Sequence, residues 1–283
     1  MSWILGLRQC AKKLGDAMTA QGYVVWSDDG ERISFKDFNC SMTNFRSFIA
    51  IEVRKAQDEL VKLFLIEDGF KLENVVPPAR LVDIKDNPGE DRPGWNFIKD
   101  QRNRHLFDGS NWMMDRIMES PRLLHQFFQD RDDLNWRIQA IRQYLDDVTR
   151  FLERILLLVH ITGGQPARVS EILWVRHHNT MQGEYCNIFI KDGLVSIVMT
   201  YHKGYSMDGM IKIIQQFLPH EVSELVVYYL WLILPFQWQL ETLALGKMDM
   251  VSPLLWTTDN KQWKDERLCK ILQKESDAIL FLN

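Results

Sequence analysis

Apolar residues recur at three- and four-residue steps along most of the chain, the spacing of helices with one buried face. Ile4, Leu7, Ala11, Leu14 and Met18 predict an opening amphipathic helix. Phe45, Phe48, Ile49, Val53, Ala56, Leu60 and Leu63 predict a second over roughly 44–66, with Gly69 as its stop. Arg54/Asp58, Lys55/Glu59 and Asp58/Lys62 stand at i,i+4 and predict a solvated outer face. The longest run is Ile138, Ile141, Leu145, Val148, Leu152, Ile155 and Val159. Its steps suit a coiled-coil seam, but Phe151, Leu156, Leu157 and Leu158 widen the stripe to that of a core helix, or two in line. Ser110 is placed to cap a short helix through Met118, and Ser120-Pro121 supplies the cap and first residue of another.

Extended segments are fewer. Residues 23–26 and 32–35 flank Asp29-Gly30 as a small hairpin. Residues 187–190 and 194–201 flank Lys191-Asp192-Gly193, a hairpin turn, and a third piece, 210–214, follows the His202-Lys203-Gly204 corner. Leu218-Pro219 ends it, residues 221–234 form an apolar helix closed by Pro235, and 266–279 is helical again. Between Asp83 and Asn103 the pattern breaks into a Pro-, Gly- and charge-rich stretch, the best boundary candidate. Trp95 and Phe97 within it are expected to pack against a domain. The fold class predicted is mainly α with a small antiparallel β-sheet (about 187–214). It divides into a helical part with a hairpin over 1–105 and a second domain over 106–283.

Composition sharpens this. An apolar share of 46% against 25% charged residues, with ten tryptophans and fifteen phenylalanines, implies a globular protein with an aromatic-rich core. The net charge of −4 means that attraction to nucleic acid is not written into the chain as a whole, though a local basic groove stays compatible with it. Cys10, Cys40, Cys186 and Cys269 are far apart with no CxxC pair, and read as reduced thiols. Residues 3–7 are too short for a signal-peptide core, and the most apolar run, 226–236, is about half of what a bilayer needs. The expectation is a soluble intracellular protein, nuclear or cytoplasmic, without a membrane partner.

The chemistry concentrates at Ile161-Thr-Gly-Gly-Gln-Pro-Ala-Arg-Val-Ser170, followed by Glu171-Ile172-Leu173. A long apolar helix meets a Gly-Gly break, and Pro166 suits the first turn of a new helix expected over 167–176. Arg168, two residues into it, would join backbone N–H groups around one anion, and guanidinium forks match phosphate geometry. Two readings are open: a phosphate clamp, or a glycine link between two core helices with a surface arginine.

An arginine at a helix head, a three-stranded sheet with a lysine at its second corner, then an apolar helix: this order resembles the first half of the catalytic domain of tyrosine recombinases. That family carries a Gly-x-Arg-x-Ser-Glu-Leu segment. Gly164-Gln-Pro-Ala-Arg168-Val-Ser-Glu-Ile-Leu173 is similar, with two extra residues between glycine and arginine. The family's hairpin lysine maps onto Lys203, in Thr200-Tyr-His-Lys-Gly204. More narrowly, residues 163–240 look like fungal transposon-type proteins, some of which accompany helicases. The resemblance implies Arg168 and Lys203 as a vestigial catalytic pair. It also implies Arg168, Arg176 and Lys203 as nucleic-acid contacts, duplex DNA as ligand, and a helicase or recombinase as further partner, with no cofactor and no metal.

The match is partial. None of the seven histidines has an arginine three residues on, and no tyrosine follows Tyr229. Strand transfer needs a tyrosine to attack the phosphodiester, arginines to stabilise charge and a lysine to protonate the leaving oxygen. The expectation is therefore a truncated or degenerate relative that holds DNA without cutting it. How such a domain covers the face its missing helices would bury is open, with residues 278–282 as one candidate. The rival is a non-catalytic helical interaction scaffold, favoured by five Lys/Arg against six Asp/Glu between Gly163 and Leu230. His177-His178 with Cys186 or His202 matches no zinc spacing, Gly163-Gly164 lacks a P-loop's Gly-Lys-Ser/Thr end, and there is no Gly-x-Ser-x-Gly. Asp132-Asp133 and Asp146-Asp147 are placed on solvated faces.

Overall fold

A computed structural model describes residues 24–35, 38–66, 75–104, 106, 108–129, 135–164, 167–201, 212–246 and 252–280. Helix makes up about 52%, and the strands form antiparallel sheets of two or three, so the chain is mainly α with small antiparallel sheets, as its periodicity predicts. The expected opening helix, the Gly69 stop, the His202-Lys203-Gly204 corner and the side chains of 278–282 lie outside the described residues.

Two compact units divide the chain: Met1–Arg54 with Leu272–Asn283, and Lys55–Ile271. In the first, β1 (Val24–Trp26), β2 (Arg32–Phe35) and β3 (Phe38–Ser41) form an antiparallel meander, with Val25 opposite Ser34 and Ile33 opposite Cys40. Ser27 Oγ donates to Asp29 at 2.5 Å and Gly30 takes φ +70°, which turns the expected first hairpin. Helix α1 (Met42–Leu63) follows. Its buried line runs through Phe48, Glu52, Ala56, Leu60 and Leu63; the expected Val53 is only half-buried, while the Glu52 carboxylate is fully enclosed.

The second unit is built on α4 (Ile138–Thr162), one continuous core helix and not two. From Ile155 to Val159 five successive side chains are buried, so the helix there has no solvent face at all. Glu59 of α1 meets Arg154 of α4 through two 3.0 Å bonds, so the predicted solvated face of α1 is held to the core helix at that point. Before α4 come α2 (Trp112–Glu119) and α3 (Pro121–Phe127). Ser120 caps α3 as expected, accepting from Leu123 N–H at 3.3 Å, with Pro121 at its first position. Ser110 does not cap α2: Asn111 stands at that position, and Ser110 instead gives its N–H to Asp108.

After α4, the short α5 (Val169–Ile172) leads into β4 (Ile188–Lys191), β5 (Leu194–Tyr201) and β6 (Lys212–Phe217), an antiparallel sheet with β5 central. Asp192 and Gly193 both have positive φ (53° and 76°), the two-residue turn whose twist matches a hairpin. Both faces of β5 are buried: Val195, Ser196, Ile197 and Met199 are all enclosed, under α5 on one element and α6 (His220–Tyr228) on another. Ser223 of α6 accepts from Val195 N–H at 2.9 Å and donates to the Leu218 carbonyl at 3.1 Å, joining helix to sheet.

Pro235 does not close the following helix. The chain runs from α6 through a π-helical turn (Tyr229–Ile233), α7 (Leu234–Gln239) and a second π-helical turn (Leu240–Ala244), a single rod. A proline inside an α-helix removes a donor and collides with the carbonyl four residues back. Here Leu234 N–H bonds Tyr229 O, five residues back, so the wider π turn receives the ring. The segment then returns as β7 (Thr257–Thr258) and β8 (Lys261–Gln262), before α8 (Asp265–Leu280).

The stretch predicted as a boundary between 1–105 and 106–283 lies within the second unit. Trp95 and Phe97 are buried there, as expected, and two enclosed asparagines supply the hydrogen bonds a loop lacks. Asn103 accepts from Lys85 N–H and donates to the Lys85 and Phe97 carbonyls, each at 2.7 Å. Asn179 donates to the Glu90 and Arg92 carbonyls and accepts from Cys186 N–H.

Gly109 tests how tightly this segment meets the rod. A Cβ there would lie 2.7 Å from Trp231 Nε1 and 2.8 Å from Leu232 Cδ2, on two buried side chains. Gly109→Ala is expected to destabilise the protein by about 1–3 kcal/mol through overpacking. Urea denaturation reads this as a lower midpoint; an unchanged or raised midpoint would show that the interface is loose.

Candidate functional site

Arg168 stands just before α5, extended at φ −66°, ψ 150°, and not two residues into a helix. The helix expected over 167–176 is reduced to four residues, with Ile172 and Leu173 inward, so little macrodipole gathers at its head. Glu171 turns back over that end: its carboxylate accepts the Arg168 N–H at 3.0 Å and lies 4.0 Å from the Arg168 Nε. Half of the Arg168 side chain is exposed (50%). What fixes α5 is its other end. Trp256, fully buried, donates its indole N–H to the Ile172 carbonyl at 2.7 Å, Gln262 donates to the Leu173 carbonyl, and Leu255 N–H bonds Val175 O.

Arg176 is mostly buried. Its guanidinium is bonded to Glu184 and lies 5.9 Å from the Trp174 ring centre, so its charge is matched inside the fold. Its Nε has no acceptor among the described residues. Lys203, in the connection from β5 to β6, lies outside the described residues, so its approach to Arg168 has no geometry here.

The histidines set aside on spacing form a different arrangement. His177 is 2% exposed, and its Nε2 lies 3.2 Å from the Ser252 carbonyl, which can only accept. The proton is therefore on Nε2, and His177 Nδ1 carries a lone pair. His178 Nδ1, 3.1 Å away, must donate to it, leaving His178 Nε2 as a bare acceptor. Both rings pack on Trp238, at 5.7 and 6.4 Å between centres. Burial, then the neighbouring His178, then Lys99 push the His177 pKa down to about 3; burial and Lys99 lower His178 as well. Cys186, whose spacing to the pair matches no zinc site, donates its thiol to the Ile188 carbonyl at 3.3 Å, and burial raises its pKa to about 12. Among the described residues no group of three or more His, Cys, Asp or Glu is placed to hold a metal ion, and no helix is long and apolar enough to cross a membrane.

This pair lines a cleft of about 1070 Å³ between residues 94–110 and the rod. Leu230, Leu234 and Trp238 supply its apolar wall, and Asn96, Lys99 and Gln239 its polar groups. Gly94, at φ +73°, turns the chain beside Lys99. Sequence spacing had no means of finding this cleft, whose walls are more than a hundred residues apart. The adjacent His177-His178, and Trp238 just past the apolar run, were its visible traces.

No family model matches the chain, and no solved structure matches it.

The depressed His177 pKa makes stability depend on pH. The unfolded chain takes up this proton near pH 6.5, whereas the folded one holds it off until about 3. Between those values the unfolded state binds more protons, so stability is fully present above about pH 6.5 and falls as the pH drops, by at most about 1.4 kcal/mol per unit from this group. His178 acts in the same direction. Urea unfolding between about pH 7 and pH 5, above the main carboxylate range, should show this slope, reduced in His177→Gln. Equal slopes in the two proteins would refute the assignment.

Proposed function

We infer that this chain binds duplex DNA through the phosphate backbone, as a partial or degenerate relative of the tyrosine recombinases. The observation that carries the reading is the order of elements in the second unit. A core helix ends at Gly163-Gly164, Arg168 heads α5, an antiparallel sheet follows whose β5–β6 connection carries Lys203, and a long apolar rod packs beneath. Arg168 heads a helix whose far end is held by Trp256 and Gln262, and it keeps half its side chain in solvent, which suits a phosphate contact. Arg176, neutralised by Glu184, is assigned a structural part in this reading.

The alternative, an interaction scaffold without nucleic acid, rests on one observation: the Glu171 carboxylate already occupies the head of α5. The two readings separate by salt. Each phosphate neutralised releases counterions, giving a log–log slope of about −0.9 per contact, and non-specific dissociation constants on the order of 10⁻⁴–10⁻⁶ M. Arg168→Ala should weaken binding roughly equally across sequences and make the slope shallower by about one unit. Fluorescence anisotropy with a labelled duplex between about 50 and 200 mM salt measures both. Absence of binding at the low-salt end, or binding indifferent to Arg168→Ala, leaves the scaffold as the better account.

Chemistry is a separate question. The groups of a strand-transfer site act as a unit, and this chain has no His-x-x-Arg and no tyrosine after Tyr229. The 283-residue chain should form no covalent adduct on a nicked suicide substrate. A trapped protein–DNA band would contradict this directly.

A further inference from the structure

The geometry points to the cleft between residues 94–110 and the rod as a binding site for a purine-type nucleotide: a planar ring bearing amino N–H donors, joined to an anionic group. It shares no residue with the Arg168 surface and stands apart from the DNA reading.

The cleft is rich in acceptors that lack donors. His178 Nε2 keeps a lone pair because the relay from Ser252 through His177 fixes both tautomers. Gln239 spends its N–H groups on the Ser110 carbonyl at 3.0 Å and on Asn111 Oδ1 at 2.7 Å, which turns its Oε1 away from both. Asn96 gives its N–H to the His177 carbonyl at 3.3 Å. The remaining amide oxygens, Asn96 Oδ1 and Gln239 Oε1, are buried and accept nothing among the described residues, an arrangement native folds avoid unless a donor arrives. A donor entering the cleft finds His178, Asn96 and Gln239 in its lining, with the two amide oxygens buried behind its surface.

Charge narrows the class. Lys99 lies close enough to lower the pKa of both histidines, so a cationic ligand is repelled. The two carboxylates of the lining are engaged elsewhere: Asp100 by Arg102, and Asp108 by the Ser110 N–H. Lys99 has no carboxylate partner among the described residues and is free to take an anion. A bare anion, however, would meet the lone pair of His178, and a purely apolar ligand would leave every acceptor unpaired. A ring with amino groups satisfies the acceptors, the half-buried Trp238 offers it an aromatic surface, and Lys99 takes its phosphate. The volume exceeds what one such ligand fills, so the site is an open cleft.

Calorimetric titration of the full chain with AMP, adenosine and inorganic phosphate separates the contributions. AMP should bind saturably, adenosine about tenfold more weakly, and phosphate alone not at all. Lys99→Ala, an exposed substitution that leaves the core untouched, should bring AMP down to the adenosine value. His178→Phe, which keeps a ring against Trp238 but removes the acceptor, should weaken both by about tenfold, with an unchanged near-ultraviolet spectrum as the check on folding. The proposal is overturned by no saturable AMP binding up to about 10 mM, by AMP and phosphate binding alike, or by a Lys99→Ala protein that retains the full preference for AMP over adenosine.

Discussion

A helical rod buried along most of its length, with a proline in its middle, is the constraint around which the second unit is arranged. Where a helix has no solvent face, water cannot repair a lost backbone bond, so every donor and acceptor must find its partner inside the chain. Pro235 removes one donor, and its ring needs space toward the preceding turn. The π turn at Tyr229–Ile233 answers both demands by lengthening the turn, and the second, at Leu240–Ala244, closes with Leu245 N–H on Leu240 O. Each extra residue rotates everything after it by roughly 100°. Trp238 and Gln239 thereby line the cleft, while Tyr229, Gln237 and Glu241 form a buried chain of bonds, 3.1 and then 3.2 Å. A regular α-helix of the same sequence would point these groups elsewhere.

The opposite wall solves the same problem without helix or sheet. Residues 84–104 carry little regular structure yet lie against a core, and Asn103 and Asn179 act as substitutes for a neighbouring strand. A side-chain amide offers both a donor and an acceptor, so one asparagine can satisfy two or three backbone groups that point in different directions. Asp86 extends the device: its carboxylate accepts the Ile190 N–H at 2.7 Å, tying this wall to the edge of β4. Burial raises the Asp86 pKa, the expected result of placing a carboxylate where few donors compensate it.

Much of the fold was legible wherever the deciding chemistry is local. Asp192-Gly193 makes its turn because two adjacent residues accept positive φ, and Ser120-Pro121 starts α3 because cap and proline act within one turn. The breadth of the apolar stripe over 151–159 announced a core helix for the same reason. What failed depended on partners far along the chain. Proline reads as a stop unless a π turn receives it. A Pro- and Gly-rich stretch reads as a linker unless distant asparagines bind it. Val53 reads as part of the buried line of α1, yet Glu52 occupies that line and Val53 is half-buried. The His177-His178 pair reads as surface or half-buried histidines, since it matches no zinc spacing. Its actual arrangement hangs on the carbonyl of Ser252, seventy-five residues away, which no spacing rule reaches.

The two surfaces of interest then differ in how far the fold has prepared them. At the head of α5 the protein has already placed its own anion: Glu171 takes the Arg168 N–H and stands beside its guanidinium. An incoming phosphate must share or displace that carboxylate, so contact there is electrostatic and shallow, and a net charge of −4 lends it no long-range help. Binding of this kind positions a duplex without selecting a sequence. In the cleft the situation is reversed. The fold has fixed the tautomer of two histidines and left Lys99 without a carboxylate partner among the described residues, while two buried amide oxygens of the lining stay unanswered. Preorganised acceptors that no internal donor satisfies discriminate strongly between ligands, because any molecule lacking the matching N–H groups leaves them buried and unpaired. On the two proposals, specific recognition belongs to the cleft and non-specific attachment to Arg168.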